Sequence, residues 1–212
     1  MRAVIFANGL IDDPSLVRGL ILPEDYLIAA DGGARHMRFL GISPSVIIGD
    51  LDSLPEEYVQ KNAGIEIIRH PRRKDQTDLE LAIFLAMQRG AHEALIFGAL
   101  GKRWDMTVAN LFLGVLPEFR HMDIRLMDGT QEMRILQEKK THLFFGKKGD
   151  ILSFIPIAGD VQGITSSGLE YPLNDDTLKL GATRGISNSF SERNASIRFK
   201  CGRLMCISGV KP

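Results

Sequence analysis

The segment Val46-Ile47-Ile48-Gly49-Asp50-Leu51-Asp52-Ser53 ends an apolar, β-branched run on a glycine and then sets two carboxylates one residue apart. A buried strand explains the run. It does not explain the acids, because unpaired carboxylates in a dry site are costly. At the carboxyl end of a parallel strand, Asp50 and Asp52 would stand where open α/β sheets bind their ligands. Hard carboxylate oxygens suit magnesium, which is often held together with phosphates. The first expectation is therefore a metal–phosphate site.

Further acids follow other strand-like runs. Asp31-Gly32-Gly33 follows Leu27–Ala30, Asp75 and Asp78 follow Ile65–His70, and Asp105 follows Ala94–Ala99 through a glycine-containing loop. In a parallel sheet these loops share one edge. Four acidic loops would converge on one crevice and call for a cation. Each also has a local explanation. Asp31-Gly32-Gly33 suits a tight turn, and Asp78 suits the first turn of a helix. Thr77-Asp78-Leu79-Glu80 matches a capping box, and Asp105 suits an N-cap. Their joint occurrence on one edge is what favours a site. Asn8-Gly9 ends the first run, where a glycine lets backbone N–H groups approach a phosphate. Arg103 follows Gly98-Ala99-Leu100-Gly101-Lys102 and could clamp phosphate oxygens with its two-pronged guanidinium. The basic run Arg69-His70-Pro71-Arg72-Arg73-Lys74 reads first as a solvated loop.

The elements that must position these groups alternate in type. Strands are expected at Ala3–Asn8, Leu27–Asp31, Ser45–Asp50, Ile65–His70, Ala94–Ala99 and Asp123–Met127. Between them, Leu79, Ala82, Ile83, Ala86 and Met87 form one apolar stripe at helical spacing after Thr77. A second helix is expected from Asp105 to about Leu116, stopped by Pro117. Weaker helical patterns cover Gly33–Leu40 and Pro55–Asn62. Such alternation implies a mainly parallel, Rossmann-like sheet with helices on both faces. From about Thr130 the helical period fades into short runs, among them His142–Phe145, Asp150–Ile155, Ala195–Phe199 and Leu204–Ile207. Their turn residues predict an antiparallel β-sandwich or barrel. The expected division is an α/β nucleotide-binding domain over 1–130 and a β domain over 131–212.

Bulk composition excludes several classes. The 26 basic and 26 acidic residues cancel, so the chain lacks the electrostatic footprint of a nucleic-acid binder. No apolar run approaches the roughly 20 residues that cross a bilayer, and no membrane role is expected. The first residues enter a strand-like run rather than a signal peptide. Two cysteines, Cys201 and Cys206, are too few for a disulfide scaffold, so a reducing cytoplasm is the expected setting.

Taken in order, these motifs resemble the thiamine pyrophosphokinase family. The residues that carry the resemblance are Asp31-Gly32-Gly33, Gly49-Asp50-Leu51-Asp52-Ser53, Asp75-Gln76-Thr77-Asp78, Arg103-Trp104-Asp105 and Gly185-Ile186-Ser187-Asn188. Two positions depart from the loop common in bacterial members, where a second glycine stands in place of Lys102 and a histidine in place of Met106. The resemblance implies a homodimeric enzyme that moves the pyrophosphoryl group of ATP to the hydroxyl of thiamine, with magnesium. It implies Asp50, Asp52 and Asp78 as metal ligands and Asp75 as the group that orients the attacking hydroxyl or binds a water of the ion's outer shell. Arg103 would stabilise phosphate charge, with Asp105 fixing it or its loop. Asn8, Gly9, Asp31, Gly32, Gly33 and Gly49 would line the nucleotide site, and Ser187 and Asn188 would contact the aminopyrimidine of thiamine. Tyr171 reads first as a core or dimer packing residue and otherwise as aromatic surface for the thiamine pocket. The competing expectations are a pyrophosphokinase for another primary alcohol such as a hydroxymethylpterin, a haloacid-dehalogenase-like phosphatase, and a catalytically idle nucleotide- or thiamine-binding protein.

Overall fold

Ala3-Val4-Ile5-Phe6 carries no polar side chain, and all four residues are fully buried. A strand whose two faces are both buried must lie inside a sheet that is covered on both sides. That strand is β1 (Arg2–Phe6) in a computed structural model that describes residues 1–54, 64–101 and 103–211. The chain forms two units, Met1–Leu113 with His121–Gly129, and Gly114–Arg120 with Thr130–Pro212.

In the first unit β1 is followed by α1 (Pro14–Leu20), β2 (Tyr26–Ala30), α2 (Gly33–Phe39), β3 (Val46–Gly49) and β4 (Glu66–Arg69). Then come α3 (Asp78–Gln88), β5 (Glu93–Phe97), α4 (Trp104–Phe112) and β6 (Asp123–Asp128). The strand order is β4-β3-β2-β1-β5-β6, and every neighbouring pair is parallel. Val4, Phe6, Ala29, Ile47, Leu95 and Phe97 cluster with Val17 of α1 and with Ala34 and Met37 of α2 on one face. The buried side of α3, including Ala82, Ile83 and Ala86, lies outside that cluster and packs on β1–β3 from the other face. The six strands expected from sequence are present, as is the helix after Thr77. The helix expected to reach Leu116 ends at Phe112, and its last turn tightens to a 3-10 turn over Leu113–Val115 ahead of Pro117. The expected helix Pro55–Asn62 and residue Lys102 lie outside the described residues. Among the described residues no helix is long and apolar enough to cross a membrane.

The second unit is antiparallel. Its strands are β7 (Gln131–Leu136), β8 (Thr141–Phe145), β9 (Ile151–Pro156), β10 (Val161–Ser167), β11 (Asp176–Leu178), β12 (Asn194–Arg198) and β13 (Leu204–Gly209). They pair as β7-β13-β9 and as β11-β10-β12-β8. One buried cluster draws on both groups: Leu136, Leu152, Phe154, Leu204 and Cys206 from the first, Phe144, Ile164, Ala195 and Ile197 from the second. That is the core of a sandwich. Because Ile197 is fully buried in it, Ile197→Val is expected to lower the unfolding free energy by about 1 kcal/mol, the usual cost of one buried methylene. Urea titration of the two proteins checks this. Cys206 is buried and Cys201 exposed, both as free thiols, and burial pushes the Cys206 thiol far up.

Candidate active site

The chain leaves β1 toward β2, β3 and β4 on one side, and β5 and β6 lie on the other. The loops after β1 and β5 therefore part at a topological switch point, where parallel sheets open a crevice. A cleft of about 400 Å³ lies there. Its walls are Ala7–Leu10 after β1, Ala30 and Asp31 after β2, Asp78 and Leu79 of α3, Gly98–Gly101 after β5, and Arg103, Met106, Thr107 and Asn110 along α4.

Three of the sequence-predicted acids converge at this edge. Asp31, Asp50 and Asp78 each offer a carboxylate oxygen within 4.8 Å of the others, a spacing that could hold a cation. Asp31 takes a left-handed backbone, φ 44°, which aspartate tolerates better than most residues, and its N–H donates to the Ile48 carbonyl at 2.8 Å. Its side chain is buried, with Oδ1 lacking a hydrogen-bond partner. Gly49 lets the acids come together. A Cβ there would stand 3.0 Å from the Asp31 Cβ and 3.1 Å from Asp78 Oδ1, at a φ of 149° that side chains rarely adopt. Thr77 caps α3 by accepting the Glu80 N–H at 3.2 Å, which sets Asp78 in the first turn. Burial raises the Asp78 carboxyl above its ordinary range, Lys74 at 2.9 Å opposes the shift, and the charges of Asp50 and Asp31 add to it.

The other predicted residues are arranged differently. Asp52 is half exposed and faces Arg72, 3.7 Å away, while its N–H donates to Asp50 Oδ1 at 3.2 Å. Asp75 is exposed at the approach to α3. Arg103 and Asp105 form an exposed ion pair in which the guanidinium hydrogen bond holds Asp105 below the usual carboxylate range. Arg103 lines the cleft and Asp105 does not. Asn8 Oδ1 accepts from Arg35 at 2.6 Å, and the Gly9 carbonyl accepts from His36 Nε2 at 2.8 Å, so α2 braces the loop after β1. Gly32 and Gly33 are buried where that helix begins, and a Cβ on Gly33 would collide with the Phe6 carbonyl.

In the second unit Ser187 is exposed with a φ of 57°. The neighbouring Asn188 is buried and largely committed within the protein. Its Oδ1 accepts from Tyr171 N at 3.1 Å and Ser189 N at 2.9 Å, and its Nδ2 donates to the Tyr171 carbonyl at 2.7 Å. Tyr171 itself is 68% exposed, so it is not a core packing residue.

Sequence reasoning missed two polar residues of the cleft and a lysine that pairs with one of its acids. Thr107 and Asn110, three apart on α4, face the loop after β5, and the signal was a pair of polar residues at helical spacing after a glycine loop. Lys74, placed in the solvated basic run, has a side chain only 11% exposed and pairs with Asp78. The i, i+4 spacing of Lys74 and Asp78 was the available signal.

A doubly wound sheet with an acid-lined crevice at its switch point, together with a β-sandwich unit, defines a two-unit α/β-plus-β protein of the nucleotide-binding kind. Residues 17–126 match the thiamin pyrophosphokinase catalytic domain, and residues 132–204 match the thiamin pyrophosphokinase vitamin B1 binding domain. The chain belongs to the thiamine pyrophosphokinase family. It is 30% identical over 182 residues to thiamine pyrophosphokinase of Bacillus subtilis (strain 168), covering 85% of each chain. To thiamine pyrophosphokinase 1 of Oryza sativa subsp. japonica it is 28% identical over 198 residues, covering 88% of this chain and 73% of that one. The crystal structure of thiamine pyrophosphokinase from Bacillus subtilis superposes with a TM-score of 0.87 over 100% of both chains, at 26% identity.

Proposed function

We propose that the acid-lined cleft is the nucleotide end of a reaction in which the pyrophosphoryl group of ATP passes to the hydroxyl of thiamine, giving thiamine diphosphate and AMP. The chain is an ATP-dependent diphosphotransferase. The observation that carries the assignment of the cleft is the convergence of Asp31, Asp50 and Asp78 at the switch point. Magnesium fits this donor set, because all three groups are hard oxygens and Asp31 Oδ1 is buried without a partner. Asp31, Asp50 and Asp78 would hold the ion, and the backbone N–H of Asp52 steadies the Asp50 carboxylate. When bound, magnesium supplies positive charge to the polyphosphate.

The protein's own groups do the rest by positioning and charge, as phosphoryl-type transfers require. Arg103 lines the cleft on an exposed ion pair and exchanges Asp105 for phosphate oxygens. Asp75 stands three residues before Asp78 and orients the attacking hydroxyl. Thiamine, rather than another primary alcohol, is supported by the match of residues 132–204 to a vitamin B1 binding domain, and Ser187 and Asn188 belong to that part of the chain. A homodimer is supported by the apolar surface of β8, where Leu143 is 60% and Phe145 76% exposed on an edge strand. A reducing cytoplasm is supported by the two free thiols.

The deciding experiment mixes the protein with magnesium, ATP and thiamine and identifies products by mass. Thiamine that gains two phosphoryl groups, with AMP, is the expected result. ADP with a singly phosphorylated product, or free phosphate alone, overturns the reading.

The Asp78 carboxyl gives a pH test of the ion site. Its folded pKa lies above the unfolded value of about 3.9. Its contribution to stability is therefore greatest below that value and is lost as pH rises through the folded pKa. In EDTA, the melting temperature of the wild type relative to Asp78→Asn is expected to fall as pH rises from 4 toward neutrality. Added magnesium is expected to cancel that fall. A difference that stays flat with pH contradicts the account.

A further inference from the structure

In the loop after β5 the carbonyls of Gly98, Ala99, Leu100 and Gly101 are all held. Gly98 O accepts from Gly9 N at 2.7 Å and Leu100 O from Leu10 N at 2.8 Å, which zips the loop to the one after β1. The bonds to the other two carbonyls come from α4. Asn110 Nδ2 donates to Ala99 O at 2.6 Å, and the Thr107 hydroxyl donates to Gly101 O at 3.3 Å while accepting Gly101 N at 3.2 Å. Thr107 and Asn110 are both buried and both line the cleft. With the carbonyls turned into the protein, the N–H groups of Ala99 and Leu100 donate to no acceptor among the described residues. Ala99 is 4% exposed, and a buried N–H is rarely left without a partner. Successive free N–H groups on a tight loop form a concavity that binds anions.

The amide of Asn110 adds a second observation. Its Oδ1 is buried without a partner. Holding the Ala99 carbonyl therefore leaves an orphan acceptor inside the protein, a cost that packing alone does not explain. Sites of this kind, where stability is given up locally, tend to be functional.

We propose that Thr107 and Asn110 are positioning residues for the nucleotide: they fix the Gly98–Gly101 loop so that the amide hydrogens of Ala99 and Leu100 bind phosphate oxygens of ATP. This rests on the reading of the cleft as the ATP site. Asn110→Leu removes the orphan Oδ1 but orphans the Ala99 carbonyl, so the two effects offset and the melting temperature stays near the wild-type value. Thr107→Val keeps the shape and loses the hydroxyl.

The test is steady-state kinetics with both substrates varied, together with amide NMR of the wild-type protein. Asn110→Leu and Thr107→Val are expected to raise KM for ATP at least tenfold, with KM for thiamine changed less than twofold. Thr107→Ser, which restores the hydroxyl, recovers most of the loss. Asn110→Asp keeps an acceptor but loses the donor to Ala99, and is expected to behave like Asn110→Leu. Were Asn110→Asp to behave like wild type, the clamp would be the wrong explanation. In the NMR arm, titration with inorganic pyrophosphate in the presence of magnesium is expected to move the Ala99 and Leu100 amide hydrogens downfield. Unmoved resonances overturn the proposal even if a variant fails to fold. If the wild type makes no thiamine diphosphate, the function reading fails. If it does and KM for ATP is unchanged in the folded variants, only this inference fails.

Discussion

Asp50→Asn is expected to lower kcat for thiamine diphosphate formation by about a thousandfold and, in the same protein, to raise stability in metal-free buffer. The two effects share one cause. Asp31, Asp50 and Asp78 bring three carboxylate oxygens within 4.8 Å of one another. Without a cation that arrangement is repulsive, and burial sharpens the repulsion. Replacing one acid with its amide keeps the shape and the acceptor for Asp52 N, while removing a charge. Relief of about 1 kcal/mol is the expected gain, or roughly 2–4 °C in Tm for a chain of this size. The loss in kcat follows from weakened hold on the ion that neutralises the polyphosphate. A factor of about a thousand corresponds to roughly 4 kcal/mol of transition-state stabilisation, within the several kcal/mol that a metal ion supplies. Kinetics at saturating magnesium and thermal melts in EDTA measure the two halves. A variant that loses activity and also loses stability would mean that Asp50 is a structural residue.

Gly9→Ala should damage both the fold and the nucleotide site. A Cβ at position 9 would overlap the carbonyl oxygens of Gly98 and Leu100 and stand 3.0 Å from the Leu100 carbonyl carbon. Both obstacles are backbone, so no rotamer change can clear them. The loops after β1 and β5 would have to separate, breaking the bonds from Gly9 N to Gly98 O and from Leu10 N to Leu100 O. Overpacking of this severity costs about 3 kcal/mol, or roughly 6–12 °C in Tm. The same separation splays the cleft, and KM for ATP is expected to rise about a hundredfold, equivalent to roughly 2.7 kcal/mol. Thermal melts and ATP titrations at saturating thiamine check it. Near-normal values for both would show that the two loops are not coupled as described.

How far the sequence disclosed this depends on the element. β1, β3 and β5 were legible because their buried runs are apolar throughout, with Val46-Ile47-Ile48 of β3 wholly β-branched. α1 was not, because only Val17 of that helix is buried and the apolar stripe is too short to register. The better signal was Asp13-Pro14. Asp13 caps the helix by accepting Ser15 N at 2.9 Å, and Pro14 sits where a helix tolerates proline. In the β unit, the residue types of Gly159-Asp160-Val161-Gln162-Gly163-Ile164 suit a turn, yet β10 runs through this stretch from Val161 to Ser167. The register shifts between Gln162 and Ile164, where Gly163 has a φ of 66°. The glycine marked a bulge inside a strand rather than the end of one.

The acids show the same limit at the site. Their order along the chain announced a crevice, and three of them gather there. The direction of Asp52 was not readable. An extended strand would send residues 50 and 52 to one face. Leu51, however, has a φ of 62° and is buried, so alternation fails at that point and the two carboxylates diverge. A left-handed leucine leaves no trace in residue spacing. The hydrogen bonds of Asn188 to Tyr171 were hidden for a similar reason, since they join positions 17 residues apart through backbone groups that carry no sequence signal.

The most direct test is anomalous diffraction from crystals grown with manganese and a non-hydrolysable ATP analogue. An anomalous peak among the carboxylates of Asp31, Asp50 and Asp78, beside the bound polyphosphate, is the expected result. A polyphosphate bound elsewhere, or an ion whose ligands exclude those three residues, would contradict it.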